Sequence, residues 1–404
     1  MSHPRQPVHT VYGGAHLFKA DLTRKLGGLA LRAFNEHAPD AAALGEAFGL
    51  DAATALAVHP RVVEKLRQEP IEDYRIDFED GFGHRADDEE DRTAEAAAVE
   101  VAAGMTGRTL PPAIGIRIKP LSPELSPRGL RTLDLFMSAL VTKSGGAIPS
   151  PFVVTLPKVT APRDVAGLAD ACDACERTHR LAPGSIAIEV MVETPQALFA
   201  PDGRLALPSL VAAGAGRVTG AHFGPFDYTA AFQITAAHQD IRHPACDFAR
   251  QIMLVALAPT SVSVSDGPTP IMPVGPRDTV HRAWKLHAAN VRHALVNGIY
   301  QGWDLHPAQL PSRYTAVFAF FLEGLSPASE RLKNFVQKAA QATLVGDVFD
   351  DAATGQGLLN YFLRAMNCGA ITEDEAIDKS GLTLNELRGR SFVKILKGRR
   401  AQSA

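Results

Sequence analysis

The chain has 404 residues, 46% hydrophobic and 21% charged, with a net charge of −3. That composition excludes a disordered chain, and the weak net charge excludes a global field that recruits nucleic acid or membrane. No apolar run approaches the ~20 residues of a membrane span, and Met1–Thr10 lacks the apolar core of a secretory signal, so a cytoplasmic protein is expected.

Taken in chain order, short apolar runs alternate with amphipathic stretches. Val8–Tyr12 reads as a first strand, ended by Gly13-Gly14, and Asp21–Glu36 and Asp51–Gln68 read as helices. Tyr74–Phe78 is a second strand, and Asp87–Met105 a helix rich in Ala and Glu. Ala113–Ile118 is a third strand closed by Pro120, and Leu130–Thr142 is helical. Phe152–Leu156 is a fourth strand closed by Pro157. The helix Arg163–His179 carries Cys172 and Cys175; no further ligands at zinc spacing lie nearby, so they read as ordinary reduced cysteines. Ser185–Val192 is a fifth strand, Pro208–Ala213 a short helix, and Arg217–Phe223 a sixth strand. Cys246–Leu257 is helical, Ser261–Val264 is a seventh strand before a Gly/Pro-rich loop, Asp278–Val296 is a long helix, and Gly298–Leu305 is an eighth strand.

Strands alternating with helices imply parallel β-α-β units. Eight of them predict a (β/α)₈ TIM barrel of class α/β over residues 1–325. An open doubly wound sheet is the rival, but no G-x-G-x-x-G follows the first strand. Beyond Pro327, Glu330–Leu344 and Gly357–Met366 look helical with no strand between, so 326–404 reads as an all-helical extension, a lid or an oligomer contact.

Catalytic groups of such barrels sit at the carboxyl ends of strands. Ionisable residues recur there: Asp77, Glu79 and Asp80 after the second strand, Arg117 in the third, Lys158 after the fourth, Glu193 after the fifth, Asp227 after the sixth and Asp266 after the seventh. A single Asp after a strand is commonly a turn former or helix cap. Many charges in one shallow mouth need a counterion. Glu193 and Asp227 are read as the metal pair. Mg²⁺ (or Mn²⁺) accepts one or two carboxylates and fills its other sites with water and substrate oxygens. A 2-oxo acid offers two such oxygens, and chelation would polarise its ketone and stabilise an enolate. Arg117 offers a rigid fork for a carboxylate or oxyanion. Glu79 and Asp80 would order water near the metal. Asp77, Lys158, Gly224, Pro225 and Asp266 are assigned to substrate binding. His84, in the loop after the acidic run, is the first choice for an acid or base, against the plainer reading of an exposed loop histidine. His222 is expected to face the barrel interior, and His306 to cap the last helix.

The ordered motifs Asp77-Phe78-Glu79-Asp80, Ile116-Arg117-Ile118, Leu156-Pro157-Lys158, Val192-Glu193-Thr194, Phe223-Gly224-Pro225-Phe226-Asp227 and His306-Pro307-Ala308-Gln309 resemble the citrate lyase β-subunit/malyl-CoA lyase family, within the metal-dependent 2-oxo-acid aldolase superfamily. The resemblance runs from about Asp77 to Leu310. It implies a (β/α)₈ fold, Mg²⁺-dependent carbon–carbon lyase or synthase chemistry, metal carboxylates at Glu193 and Asp227, an oxo-acid arginine at Arg117, and a homo-oligomer. Partners would be a small 2-oxo acid with an aldehyde or an acyl-CoA, for whose phosphates Arg85, Arg108 and Lys119 are candidates. The chain departs from the family pattern at Lys119, where Asn is usual, in the charged stretch Gly81–Asp91, in the insertion before the second strand, and in the tail. Two other readings stay open. Ile371–Ser391 could form a helix-turn-helix with a basic end, although Glu373, Asp374, Glu375 and Asp378 oppose nucleic acid; or the barrel could bind an oxo acid without catalysis.

Overall fold

The computed structural model describes residues 5–337, 343–345, 348–350 and 352–403. Eight parallel strands close into a barrel: β1 (His9–Gly14), β2 (Asp73–Asp77), β3 (Ala113–Arg117), β4 (Phe152–Leu156), β5 (Ile186–Val192), β6 (Val218–Phe223), β7 (Ser263–Pro268) and β8 (Gln301–Asp304). β1 closes onto β8 with Thr10 opposite Trp303. Helices cover the outside, so the strands are buried on both faces and read as short apolar runs. Phe34, Phe136 and Trp284 are among the buried groups of the helix layer.

The barrel interior is not uniformly apolar. Arg75 projects from β2 and pairs with Asp73 and, at 2.6 Å, with Glu189 of β5; its Nε donates to the Thr155 hydroxyl at 3.1 Å. Thr10 donates to Asp73 at 2.9 Å, and Gln301 donates to Thr10 at 3.0 Å. Each buried charge therefore has a partner, the condition for tolerating ions in a dry interior.

The predicted barrel is present in all its strands, with local differences. β7 runs on through Asp266 and Gly267 to Pro268, where a loop was expected. Pro268 is accommodated because the β7–β8 register shifts between Ser265 and Pro268. An unforeseen helix, Ala41–Phe48, is capped by Asp40, which accepts from the Ala43 N–H at 2.8 Å, and ends at Gly49 with φ 73°.

The extension carries the helices Leu325–Gln337, Ala352–Asn367, Glu373–Ser380, Leu384–Arg388 and Phe392–Ser403. It is not all-helical: Thr343–Val345 pairs antiparallel with Val348–Asp350. Of the predicted helix Glu330–Leu344, the part up to Gln337 is helical and Thr343 and Leu344 belong to the strand, while residues 338–342 lie outside the described residues. Val345, Val348 and Phe349 favour a strand over a helix. The extension packs against the amino-terminal end of the barrel. Arg364 bonds Gln6 just ahead of β1, its guanidinium lies 4.5 Å from the ring of Tyr300 just ahead of β8, and Arg61 Nε donates to the Ala370 carbonyl at 3.0 Å. These contacts do not make a lid over the chain's own mouth, which opens at the other end. In the basic tail, Arg399 pairs with Glu386 at 2.8 Å. Among the described residues no single helix is long and apolar enough to cross a membrane.

Cys172 and Cys175 are buried free thiols in the helix Pro162–His179. Burial pushes them up to about 12 and about 11, which leaves them protonated and unreactive near neutral pH.

Candidate active site

The mouth is built outward from Asp77, the last residue of β2. One of its oxygens accepts from the Glu79 N–H (2.9 Å) and Arg117 Nε (2.7 Å). The other accepts from the Gly81 N–H (2.8 Å) and Arg117 Nη2 (2.5 Å). With four donors already in place, Asp77 shapes the acidic loop and fixes the plane of Arg117 rather than meeting substrate, a correction to its expected role.

Arg117 is buried, and its Nη1 lies 2.9 Å from Glu79 Oε2 and 3.8 Å from Asp80. The guanidinium carbon sits 5.0 Å from the Tyr12 ring centroid and 5.9 Å from that of Trp303, and these two rings are 4.5 Å apart. His222 holds both: Trp303 Nε1 donates to its Nδ1 at 3.2 Å, the Tyr12 hydroxyl lies 3.1 Å from the same atom, and Nε2 meets Glu189 at 3.2 Å. Since indole N–H only donates, Nδ1 accepts and Nε2 carries the proton. His222 thus faces the interior as expected. The aromatic platform of Tyr12 and Trp303 was missed from sequence.

Lys158 follows β4 in the left-handed region, at φ 50°. That conformation costs a non-glycine residue roughly 1–2 kcal/mol. It sends the Lys158 N–H to Glu193 Oε1 at 2.6 Å, while Nζ contacts Glu79 and lies 3.7 Å from both Asp80 and Asp227. Burial works against the ammonium charge, but Glu79 more than offsets it and raises the Lys158 pKa.

Glu193, after β5, is 2% exposed. Burial first, then the neighbouring charge of Glu79, opposed by Lys158 and Arg117, push its carboxyl up to about 8. Gly224 explains how it fits: a Cβ there would lie 2.5 Å from the Glu193 Cβ and 2.7 Å from its Oε2. Gly224 clears room for the carboxylate. Pro225, buried, opens the helix Pro225–Ala231 and places Asp227 in its first turn. Gly224→Ala is expected to rotate Glu193 out of place, cutting Mg²⁺ affinity at least tenfold while costing about 1–3 kcal/mol by overpacking; calorimetric titration and a denaturant melt read the two effects separately.

Glu193, Asp227 and Lys158 line one cavity of about 670 Å³. Arg117 lies behind the Glu79–Lys158 pair and is not part of the cavity wall. Asp266 is not at the mouth either. It is buried against Arg250 at 2.9 Å and accepts the Gly267 N–H, so its expected substrate role is corrected to a structural one. His84 is exposed, makes no hydrogen bond or ion pair, and is not part of the cavity wall. His306 caps the turn after β8, accepting from the Ala308 N–H at 3.1 Å. Lys119 is tied to Glu90 at 2.7 Å and the Phe78 carbonyl at 2.8 Å. Two departures from the family pattern, Lys119 and the charged stretch, thus form one buried clasp beneath the acidic loop.

The donor set suits a hard cation. Once Asp77 and Arg117 neutralise each other, Glu79, Asp80, Glu193 and Asp227 face the single ammonium of Lys158. Glu79 Oε2 is buried with no hydrogen bond, its ion-pair contact with Arg117 being off the N–H line. Among the described residues no three His, Cys, Asp or Glu side chains form a ready cage. Mg²⁺ does not need one, since one or two carboxylates plus water and substrate complete its shell.

A closed (β/α)₈ barrel with carboxylates, arginine and lysine at its strand ends defines the class. A family model described as "Domain of unknown function (DUF6986)" matches residues 2–395, and the chain belongs to that family. No curated protein matches the chain. Among solved structures, a citrate lyase from Burkholderia xenovorans LB400 is 18% identical, with 93% of this chain and 97% of that chain covered and a TM-score of 0.64. CitE from Mycobacterium tuberculosis, in complex with magnesium, acetoacetate and coenzyme A, is 15% identical, with 93% and 98% covered and a TM-score of 0.51. The likeness is one of fold: these proteins and this chain share the (β/α)₈ barrel.

Proposed function

We propose that the protein is a Mg²⁺-dependent carbon–carbon lyase or aldolase acting on a 2-oxo acid through its enolate. The observation that carries this reading is the gathering of four carboxyl groups, Glu79, Asp80, Glu193 and Asp227, around the one lysine Lys158. Glu193 and Asp227 hold the cation. Bound Mg²⁺ supplies a Lewis acid that polarises a carbonyl and favours negative charge on its oxygen.

The remaining chemistry belongs to the side chains. Of the five N–H groups of Arg117, Asp77 takes two and Glu79 faces a third. One N–H on each terminal nitrogen is left, a fork suited to the oxo-acid carboxylate or the enolate oxygen. Lys158 holds the place of a cation among Glu79, Asp80 and Asp227, and releases these groups when one binds, freeing its ammonium for substrate and opening the way to Arg117. Asp80, whose side chain is 64% exposed beside Lys158, takes and returns the proton of the substrate hydroxyl.

Lys158→Met is expected to tighten Mg²⁺ about tenfold, because a competing positive charge is removed, and to weaken oxo-acid binding. Unchanged Mg²⁺ affinity in a calorimetric titration would contradict the exchange of charges. The reading as a whole is tested by proton–deuterium exchange at the methyl of pyruvate, followed by NMR with and without Mg²⁺. Exchange that requires Mg²⁺ supports it. Loss of exchange across pyruvate and 2-oxobutyrate at saturating Mg²⁺ overturns it.

A further inference from the structure

The guanidinium of Arg117 is gripped along one edge. Asp77 takes Nε at 2.7 Å and Nη2 at 2.5 Å, whereas Nη1 meets Glu79 off the N–H line. That grip fixes the plane of the fork but leaves it free to rock about the held edge. What limits the rocking is the flat face of the group, which lies against Tyr12 and Trp303, with ring centroids 5.0 and 5.9 Å from its carbon. The main hydrophobic core does not back these rings. With Met191 they form a small apolar island, apart from that core, inside a largely polar barrel interior. Their place therefore depends on their polar ends, which need partners when buried.

Both ends converge on one atom, Nδ1 of His222. The indole N–H can only donate, so Nδ1 holds a lone pair and the ring proton sits on Nε2. That proton faces Glu189 at 3.2 Å. Arg75 at 2.6 Å and the Thr155 hydroxyl at 2.9 Å keep Glu189 an acceptor. Glu189 thus selects the tautomer, and the tautomer presents the acceptor that both rings use. His222 itself is buried on β6 and is not part of the cavity wall, so any effect it has on substrate passes through its neighbours.

We infer that His222 is a positioning residue for oxo-acid binding: its Nδ1 acceptor holds Tyr12 and Trp303 in place, and they hold the fork of Arg117. This rests on the function proposed above and adds the residue that aims its arginine. Substitution separates the two faces of the imidazole. Asparagine places its amide oxygen near the position of Nδ1 and goes on accepting from the rings, but falls short of Glu189. Glutamine places its amide near Nε2 and goes on donating to Glu189, but offers nothing at Nδ1. A histidine that only filled space would be replaced better by glutamine, the closer in size, so the two roles predict opposite orders. Glu189 keeps Arg75 and Thr155 in both variants, so no buried charge is stranded and folding should hold.

The test uses the full-length protein and two readouts. At saturating Mg²⁺, calorimetric titration should show pyruvate bound about tenfold more weakly by His222→Gln, the effect of leaving a buried donor without its acceptor, and within about threefold of wild type by His222→Asn. The second readout needs no ligand. The chain has two tryptophans, and in protein carrying isotope-labelled tryptophan Trp284→Phe assigns their indole N–H resonances. The Trp303 resonance should move toward that of a free indole in His222→Gln and keep its hydrogen-bonded position in His222→Asn. Equal losses of pyruvate affinity in the two variants, no loss in either, a greater loss in His222→Asn, or an unmoved resonance in His222→Gln overturns the inference. The wild-type titration separates the two levels. Mg²⁺-dependent pyruvate binding with any of those four results removes this inference alone, whereas no binding of pyruvate or 2-oxobutyrate by the wild-type protein removes the proposed function with it.

Discussion

Glu193→Gln is expected to abolish Mg²⁺-dependent binding of a 2-oxo acid and to lower kcat/KM at least a thousandfold, about 4 kcal/mol of transition-state stabilisation. The amide keeps the size of the carboxylate and can still accept the Lys158 N–H that Glu193 accepts at 2.6 Å. It loses the charge the cation requires. Folding should tolerate the change, since a buried carboxyl pushed up to about 8 is largely neutral at pH 7. The variant therefore separates charge from shape. The same shift fixes a pH dependence. Below about pH 8 the free protein carries Glu193 protonated, and the cation must displace that proton. Mg²⁺ affinity should rise about tenfold per pH unit up to about 8 and level off above it, with one proton released per cation on the acid side. Calorimetric titration in buffers of different ionisation enthalpy measures both. In the variant the slope due to this group disappears.

Arg75→Met is expected to cost about 3–5 kcal/mol of stability, the penalty for stranding buried charges. Asp73 and Glu189 would face each other inside the barrel without their cation. Burial alone pushes Glu189 up, and Arg75 followed by His222 more than reverses this, holding it well below the usual carboxylate range. Removing Arg75 releases the larger part of that restraint and raises the Glu189 pKa. Glu189 also meets His222, which braces the Tyr12–Trp303 platform under Arg117. The lesion should therefore weaken oxo-acid binding as well as folding. A triple variant, Arg75→Met with Asp73→Leu and Glu189→Leu, should recover most of the stability, because an apolar set of similar volume replaces the ions. Equilibrium unfolding in urea measures both variants. A loss below 1 kcal/mol in Arg75→Met would mean that water reaches this layer.

The barrel was legible because parallel strands under helices are short apolar runs with glycine or proline at their ends. Phe152–Leu156 matches its expected limits residue for residue. β7 was cut short because Ser265 and Asp266 look like loop residues, yet both are buried, Asp266 beside Arg250. The paired strand Thr343–Val345 was absorbed into a helix, since three residues carry too little periodicity to separate the two. At the mouth, the strand-end rule placed Glu79, Asp80, Arg117, Lys158, Glu193 and Asp227 near one another. It failed for Asp266, because sequence position does not say which way a side chain points. The aromatic platform needs the closure of β1 onto β8, which joins residues as far apart as Thr10 and Gln301. Gly224 looked like a ligand contact, and the space it makes for Glu193 appears only once β5 and β6 lie side by side.

In the function proposed above, Glu193 and Asp227 hold a cation that in turn binds a 2-oxo acid. The most direct test is calorimetric titration of pyruvate into the wild-type protein with and without Mg²⁺, repeated with Glu193→Gln and Asp227→Asn. Saturable one-site binding that requires Mg²⁺ and is lost in both variants is the expected result. Binding of equal strength without Mg²⁺, or retained in both variants, would contradict it.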